Sequence, residues 1–257
     1  MSNIQKAFQH GKAFIAFVTC GDPDLETSAR LVREMAAAGA DIIELGIPFS
    51  DPTAEGPVIQ AANARALDGG VTTDQIFALV REVRKDVSVP LAIMTYANVV
   101  FSYGIERFLA NAANVGLDGL ILPDVPFEEK LEFAPACRRA GIDFISLVAP
   151  TSRERIQMIA AEAEGFVYCV SSLGVTGERS SITTDLDAMV RLVREANPTV
   201  PCAVGFGIST PEQARQIAQL ADGVIVGSAI VRMVGDGGRD CVADIGRYVR
   251  RMKQAIL

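Results

Sequence analysis

The chain alternates eight short apolar runs with stretches of helical periodicity, and this alternation most restricts how it can fold. The runs begin near residues 13, 41, 90, 117, 143, 166, 201 and 223 of 257. Most are apolar on successive residues, as in parallel strands buried on both faces. Eight such strands, each followed by a helix, predict a closed (β/α)8 TIM barrel. No change in composition marks a linker, so we expect a single domain over residues 1–257.

The segments between the runs have the apolar spacing i, i+3, i+4, i+7 of amphipathic helices, as in Ile76, Leu79, Val80 and Val83. Capping boxes are predicted at three helix starts: Thr72 with Gln75, Thr151 with Glu154, and Thr210 with Gln213. An open doubly wound sheet is the alternative fold. The first run lacks the G-x-G-x-x-G turn of many such sheets, which favours the barrel. In a barrel, chemistry is expected where strands end and loops begin.

Composition and charge exclude several classes of partner. The formal net charge is −7 and the isoelectric point is near 4.9, which argues against nucleic acid or an anionic membrane as the main partner. The apolar run near the N-terminus is too short for a signal sequence or a membrane span. Five scattered cysteines without a C-x-x-C pair suggest reduced thiols and a cytoplasmic location.

The residue types available also exclude several mechanisms. His10 is the only histidine and precedes the first run, so neither a histidine metal site nor a Ser-His-Asp triad is expected. No lysine lies at the C-terminal end of a predicted strand, which leaves a Schiff-base mechanism without a nucleophile. Acid–base chemistry therefore falls to carboxylates or a tyrosine.

Glu44 is the most informative carboxylate because it lies inside the apolar run of residues 41–47. An unpaired polar group in such surroundings costs about 2–7 kcal/mol. Glu44 could have a purely structural role, as a buried glutamate paired with a distant arginine. With no other base available, a functional role for Glu44 is favoured. Glu55 follows in the next loop, as a second acid near the same strand end.

Other polar residues at strand ends have simpler explanations. Asp22, Asp51 and Asp124 lie in turn-like contexts beside proline, and we predict that they are turn or capping residues. Tyr168 lies in the sixth run, where the pattern alone favours packing in the barrel interior.

Glycines after the last two strands predict a phosphate site. The segments GFGIS (205–209) and VGSAI (226–230) follow the seventh and eighth runs. Glycines there let backbone N–H groups approach an anion, and barrels often bind phosphate between these two loops. The alternative is that the glycines only turn the chain. The polar segment 173–184 after the sixth run is either a lid or an ordinary solvated loop.

Several motifs together resemble the tryptophan synthase alpha subunit family from about Phe17 to the C-terminal helix. They are FVTCGDP (17–23), ELGIPFSDP (44–52), YAN (96–98), GVTG (174–177), GFGIS and VGSAI. The second motif is highly specific, whereas the glycine loops occur in other phosphate-binding barrels. The resemblance implies a lyase of L-tryptophan biosynthesis that cleaves indole-3-glycerol phosphate to indole and glyceraldehyde 3-phosphate by a retro-aldol step.

The resemblance also implies a partner. This is the beta subunit, which carries pyridoxal phosphate and receives the indole within an α₂β₂ complex. It implies no metal or organic cofactor in this chain, and neither nucleic acid nor membrane as a partner.

The same resemblance implies roles for individual residues. Glu44 corresponds to the acid that protonates C3 of the indole, Glu55 to the second carboxylate, at the indole N–H, and Tyr168 lies beside them. The implied phosphate contacts are Gly177, Gly207, Gly227 and Ser228. The implied indole pocket is Phe17, Tyr96, Ile121, Thr176 and Phe206. There is one departure: the family commonly has Leu-Ala-Asp where this chain has Thr53-Ala54-Glu55.

Two other functions stay open at this point. One is a different phosphosugar barrel, an isomerase or epimerase that would act on an aliphatic sugar phosphate and release no indole. The other is a catalytically silent barrel that only binds a partner, and the presence of Glu44, Glu55 and Tyr168 argues against it.

Overall fold

The computed structural model of the protein describes residues 1–170, 186–205 and 207–257. Thr176, Gly177, Phe206 and the polar segment 173–184 lie outside the described residues. Their predicted roles therefore stay predictions.

All paired strands are parallel and form one nearly closed barrel, which confirms the predicted fold. The strand order is β5-β4-β3-β2-β1-β9-β8-β7-β6. The strands are β1 (Ala13–Thr19), β2 (Ile42–Gly46), β3 (Leu91–Met94), β4 (Gly119–Ile121), β5 (Asp143–Phe144), β6 (Ser146–Val148), β7 (Val167–Val170), β8 (Cys202–Gly205) and β9 (Gly223–Val226).

The predicted fifth strand is split in two at Ile145. Its first part, β5, pairs with β4, and its second part, β6, pairs with β7. One continuous segment of chain thus contacts both neighbouring strands of the barrel, although each pairing is only two or three residues long. The nine observed strands therefore correspond to the eight predicted ones.

All but the first of the described helices cover the outside of the barrel, and the first precedes β1. The helices are α1 (Asn3–Lys6), α2 (Leu25–Ala37), α3 (Pro57–Asp68), α4 (Thr73–Val83), α5 (Ala97–Tyr103), α6 (Ile105–Asn114), α7 (Ala134–Ala140), α8 (Arg153–Ala161), α9 (Leu186–Ala196), α10 (Pro211–Leu220), α11 (Ser228–Gly237) and α12 (Val242–Ile256). Two short 3₁₀ helices cover Phe127–Glu132 and Gly238–Asp240. Among the described residues, no helix has both the length and the apolarity needed to cross a bilayer.

Local capping explains where several of these helices begin. The capping boxes predicted at Thr72 and Thr210 are present at the starts of α4 and α10. The box predicted at Thr151 is wrong, because α8 begins one residue later. Its N-cap is Ser152, whose hydroxyl accepts a hydrogen bond from the backbone N–H of Arg155 at 3.2 Å.

Alternate residues of each strand point into the barrel or towards the helices. Ile4 of α1 and Ile145, at the split between β5 and β6, form an apolar interior with inward-facing residues of five strands: Ile15, Ile42, Ala92, Ile121 and Ile225. Ile4 is fully buried, and Phe8 packs on Phe166 with ring centroids 5.8 Å apart. The N-terminal segment therefore fills one end of the barrel, at the amino ends of the strands.

Candidate active site

A cavity opens at the carboxyl ends of the strands. Its wall brings together many of the residues that the sequence singled out: Phe17, Glu44, Glu55, Tyr168, Gly207, Gly227 and Ser228. These residues come from five separate segments of the chain. Their meeting in one cavity is what a barrel active site built from strand ends and loops requires.

Glu44 forms part of the inner wall. It lies in β2 between Phe17 of β1 and Ala92 of β3, and its side chain is fully buried. Within the described part of the chain, neither of its carboxylate oxygens has a hydrogen-bond partner. Burial raises the pKa of Glu44 from its ordinary value of 4.5 to about 8. The carboxyl group therefore keeps its proton near neutral pH and can donate it to a bound substrate.

This burial predicts a pH dependence of stability that Glu44→Gln removes. Between about pH 4.5 and pH 8 the unfolded chain releases the Glu44 proton and the folded chain keeps it. The free energy of unfolding then falls by up to about 1.4 kcal/mol per pH unit. We expect the stability of Glu44→Gln relative to the wild type to increase across this window, as measured by denaturant unfolding. A difference independent of pH would mean that Glu44 ionises alike in both states.

Glu55 is held in place by Tyr96. The Tyr96 hydroxyl donates to Oε2 of Glu55 at 2.7 Å and accepts from the backbone N–H of Ala54 at 2.9 Å. The Tyr96 ring stacks on Phe49 with centroids 5.1 Å apart. Burial raises the pKa of Glu55, the hydrogen bond from Tyr96 opposes this, and the charge of Asp124 adds to the rise. The acid is therefore buried and fixed, rather than free in solvent.

Tyr168 lies in β7 on the same wall as Glu44 and is 5% exposed. Burial, and then the charge of Glu44, raise the pKa of Tyr168 well above its ordinary value. A Cβ atom added at Gly205 of β8 would lie 2.8 Å from the Tyr168 hydroxyl. The absence of a side chain at Gly205 therefore leaves the space that the Tyr168 ring occupies.

The glycines after β8 and β9 also line the cavity. Gly227 is the N-cap of α11 and Ser228 is its first residue. The first N–H groups of a helix have no partner inside the helix, and the helix dipole favours an anion beside them. Gly207 has a φ of +85°, which strongly favours glycine. At Gly227 an added Cβ would make only ordinary contact, 3.6 Å from Phe17, so the fold does not require glycine there.

Two acids predicted to be turn or capping residues have different environments. Asp124 accepts from the backbone N–H of Ala97, the first residue of α5, and so behaves as a cap. Asp22 lies in a turn, as predicted, since its backbone N–H donates to the carbonyl oxygen of Thr19 at 3.4 Å, but it does not cap a helix. Its carboxylate is buried against Arg65, and Asp24 caps α2 instead.

Two residues predicted for the indole pocket are not part of the described cavity wall. Ile121 is fully buried in the apolar interior, and Tyr96 directs its hydroxyl to Glu55. Other apolar residues line the cavity that the sequence reasoning missed: Ala54, Ile59, Met94, Pro123, Leu147, Ile208 and Ile225. Met94, Leu147 and Ile225 are inward-facing strand residues near strand ends. The strand alternation, counted from Glu44, was the signal that could have found them.

The fold and the cavity define a TIM-barrel enzyme whose cavity is lined by two buried acids and by the glycines that follow β8 and β9. The model of the family described as "Tryptophan synthase alpha chain" matches residues 4–257. A tryptophan synthase alpha chain from Shouchella clausii is 50% identical over 97% of this chain and 96% of its own length. One from Lacticaseibacillus casei is 46% identical over 100% and 96%.

Solved structures agree with this match. A Mycobacterium tuberculosis tryptophan synthase structure superimposes with a TM-score of 0.90 at 33% identity, covering 99% of this chain and 98% of that one. A tryptophan synthase complex from Pyrococcus furiosus gives 0.84 at 35% identity, covering 95% and 99%. The chain belongs to the tryptophan synthase alpha chain family.

Proposed function

We propose that the chain cleaves indole-3-glycerol phosphate to indole and glyceraldehyde 3-phosphate in L-tryptophan biosynthesis. The observation that carries this proposal is Glu44, a fully buried acid with a raised pKa on the wall of an apolar cavity. An acid that keeps its proton near neutral pH is what protonation of an aromatic carbon needs. Membership of the family supports the same reaction.

In the proposed mechanism, Glu44 gives its proton to C3 of the indole ring. The bond between C3 and the glycerol chain then breaks, and its electron pair returns to the ring. The adjacent hydroxyl group becomes the aldehyde and loses its proton to the Glu44 carboxylate. One residue thus acts first as acid and then as base, and leaves the step in its starting state. Tyr168, on the same wall, borders the reacting atoms.

Glu55 supplies negative charge to the ring nitrogen. When C3 gains a proton, positive charge develops on the indole N–H, and a carboxylate beside it stabilises the transition state more than the ground state. Tyr96 supports this role, since its hydrogen bond favours the ionised form of Glu55 and fixes its position.

The substrate phosphate is proposed to bind at the start of α11. Gly207, Gly227 and Ser228 offer backbone N–H groups and a hydroxyl at the end of the cavity, and Phe17 with Ile59 offers apolar wall for the indole. Gly177, Thr176 and Phe206 complete the site in this proposal, on the strength of the family resemblance alone.

The chain is proposed to act in the cytoplasm with a beta subunit that receives the indole. Its relatives include tryptophan synthase complexes, such as that from Pyrococcus furiosus. Acid, base and anion-binding groups are sufficient for the retro-aldol step, so this chain is proposed to need no metal or organic cofactor. Pyridoxal phosphate belongs to the partner in this proposal.

A spectrophotometric assay with indole-3-glycerol phosphate tests the function, with the chain alone and with a tryptophan synthase beta subunit added. We expect indole release by the chain alone and faster turnover in the mixture. Conversion of aliphatic sugar phosphates without indole release would favour an isomerase or epimerase. Stimulation of the beta subunit by a chain that releases no indole would favour a silent partner-binding barrel.

The raised pKa of Glu44 predicts how activity depends on pH. Because the acid form is the active one, kcat/KM is expected to fall above about pH 8, approaching tenfold per pH unit. On the acidic side, protonation of Glu55 is expected to lower activity, at a pH above the ordinary range of a glutamate because its pKa is also raised. A profile that stays flat through pH 9 would contradict the assignment of Glu44 as the acid.

Gly227→Val tests the phosphate site. The position tolerates a Cβ atom, but a branched side chain at the N-cap of α11 would cover the N–H groups offered to the anion. We expect KM for indole-3-glycerol phosphate to rise at least ~10-fold, with the thermal midpoint nearly unchanged, since Gly227 has a negative φ. An unchanged KM would mean that Gly227 only turns the chain.

A further inference from the structure

An ion pair outside the cavity joins the buried Asp22, in the loop after β1, to the partly exposed Arg65 of α3. Asp22 is 1% exposed, and both of its carboxylate oxygens accept hydrogen bonds from Arg65, from Nε at 2.8 Å and from Nη2 at 2.8 Å. The guanidinium lies against Gly235 of α11, where a Cβ atom would stand 3.1 Å from Nη2. This two-point contact fixes direction as well as distance, which a single contact does not.

The Asp22 side of the pair is a rigid support. The backbone N–H of Gly21 donates to the Ser28 hydroxyl at 2.9 Å, so the loop is tied to α2. Asp24 caps α2 through the N–H of Thr27 at 2.7 Å, and Arg239 donates to Asp24 at 2.6 Å. Asp22 lies between these two attachments and has little freedom to follow a moving helix.

The Arg65 side of the pair belongs to the helix that follows Glu55. The first residue of α3 is Pro57, and Gln60 donates to the carbonyl oxygen of Glu55 at 2.8 Å. Ile59 of α3 lines the cavity. Arg65 lies about 12 Å along the helix axis from Pro57. A tilt of α3 about its far end would therefore displace Glu55 and Ile59 together.

We propose that Asp22 and Arg65 are a positioning pair, which sets the tilt of α3 and thereby places Glu55 at the substrate. This inference rests on the proposed function of the cavity. Neither residue lines the cavity wall, so the pair acts through Glu55 rather than on the substrate. A displacement of about 1 Å in a catalytic group can cost ~10²-fold in rate. Fixing the end of α3 that carries Arg65 is therefore expected to affect the rate through the position of Glu55.

Asp22→Asn is the variant that tests the pair. It keeps the size of the side chain and removes the charge, while Arg65, whose side chain is 42% exposed, stays solvated. We expect kcat for indole release to fall at least ~10-fold while KM changes less, because α3 contributes Ile59 to the indole wall but does not contain the phosphate site. Arg65→Lys keeps the charge but loses the two-point contact. Its kcat is expected to lie between those of Asp22→Asn and the wild type.

The matched control is a second ion pair at the opposite end of the barrel. Asp118 accepts from Nη2 of Arg84 at 2.5 Å and from the backbone N–H of Leu91, near the amino ends of the strands. Asp118→Asn is expected to lower the thermal midpoint without changing kcat. If both variants lose stability and neither loses kcat, the Asp22–Arg65 pair only stabilises the fold and the proposal fails.

A double-variant comparison separates positioning of Glu55 from any other effect. In the Glu55→Ala background, Asp22→Asn is expected to change kcat less than ~2-fold, since there is no carboxylate left to position. The same ~10-fold loss in both backgrounds would overturn the proposal. A wild-type chain that releases no indole would instead overturn the proposed function, so the two failures are distinguishable.

Discussion

Replacing Glu44 by glutamine is expected to lower kcat for indole release at least ~10²-fold while KM stays close to the wild-type value. Glutamine has the size of glutamate and fits the space on β2, but it has no proton to transfer at neutral pH. The effect is large because Glu44 is the only carboxyl group on the described cavity wall with a pKa raised to about 8.

Steady-state kinetics on Glu44→Gln and Glu44→Asp decides this prediction. The aspartate variant keeps an ionisable group one methylene further from the substrate, so it should retain more activity than the glutamine variant. Turnover of Glu44→Gln within a few-fold of the wild type would remove Glu44 from the mechanism.

Glu55→Ala is expected to lose ~10²-fold or more in kcat, because it removes the charge that stabilises the developing positive charge on the indole ring. Glu55→Asp is expected to lose less activity than Glu55→Ala, since it keeps the charge, although its shorter side chain holds the carboxylate further from the ring nitrogen. A solvent-facing loop acid would show no loss in either variant. The observed side chain is 7% exposed and accepts a hydrogen bond from Tyr96.

Glu55→Gln and Tyr96→Phe refine this test. Glutamine at position 55 can still accept the hydrogen bond from Tyr96 but lacks the charge. The loss of kcat in Glu55→Gln should therefore approach that in Glu55→Ala. Phenylalanine at 96 keeps the stacking on Phe49 and loses only the hydroxyl that holds Glu55, so its loss should be smaller. Full activity in Glu55→Ala would leave Glu44 as the only essential acid.

The barrel could be predicted because parallel strands buried on both faces give apolar runs that stand out in the sequence. Glu44 could be predicted for the same reason, since a carboxylate inside such a run is conspicuous. The split of the fifth strand at Ile145 could not be predicted, because it depends on how that segment pairs with both β4 and β7.

Contacts between segments that are distant in the sequence could not be predicted either. Asp22 and Arg65 are separated by 43 positions, and each alone has an ordinary explanation as a turn residue and a surface cation. The hydroxyl of Tyr96 meets Glu55 across 41 positions. Their pairing depends on how α3 and α5 lie over the barrel, and packing rather than local pattern decides this.

Cleavage of indole-3-glycerol phosphate in D₂O, with product analysis by mass spectrometry and NMR, tests the central claim most directly. If Glu44 exchanges its proton with solvent and delivers it to C3, the wild-type chain should release indole with one deuterium at C3. Glyceraldehyde 3-phosphate should form in an equal amount. Recovery of the substrate unchanged, or of a rearranged sugar phosphate still attached to the indole, would contradict the account.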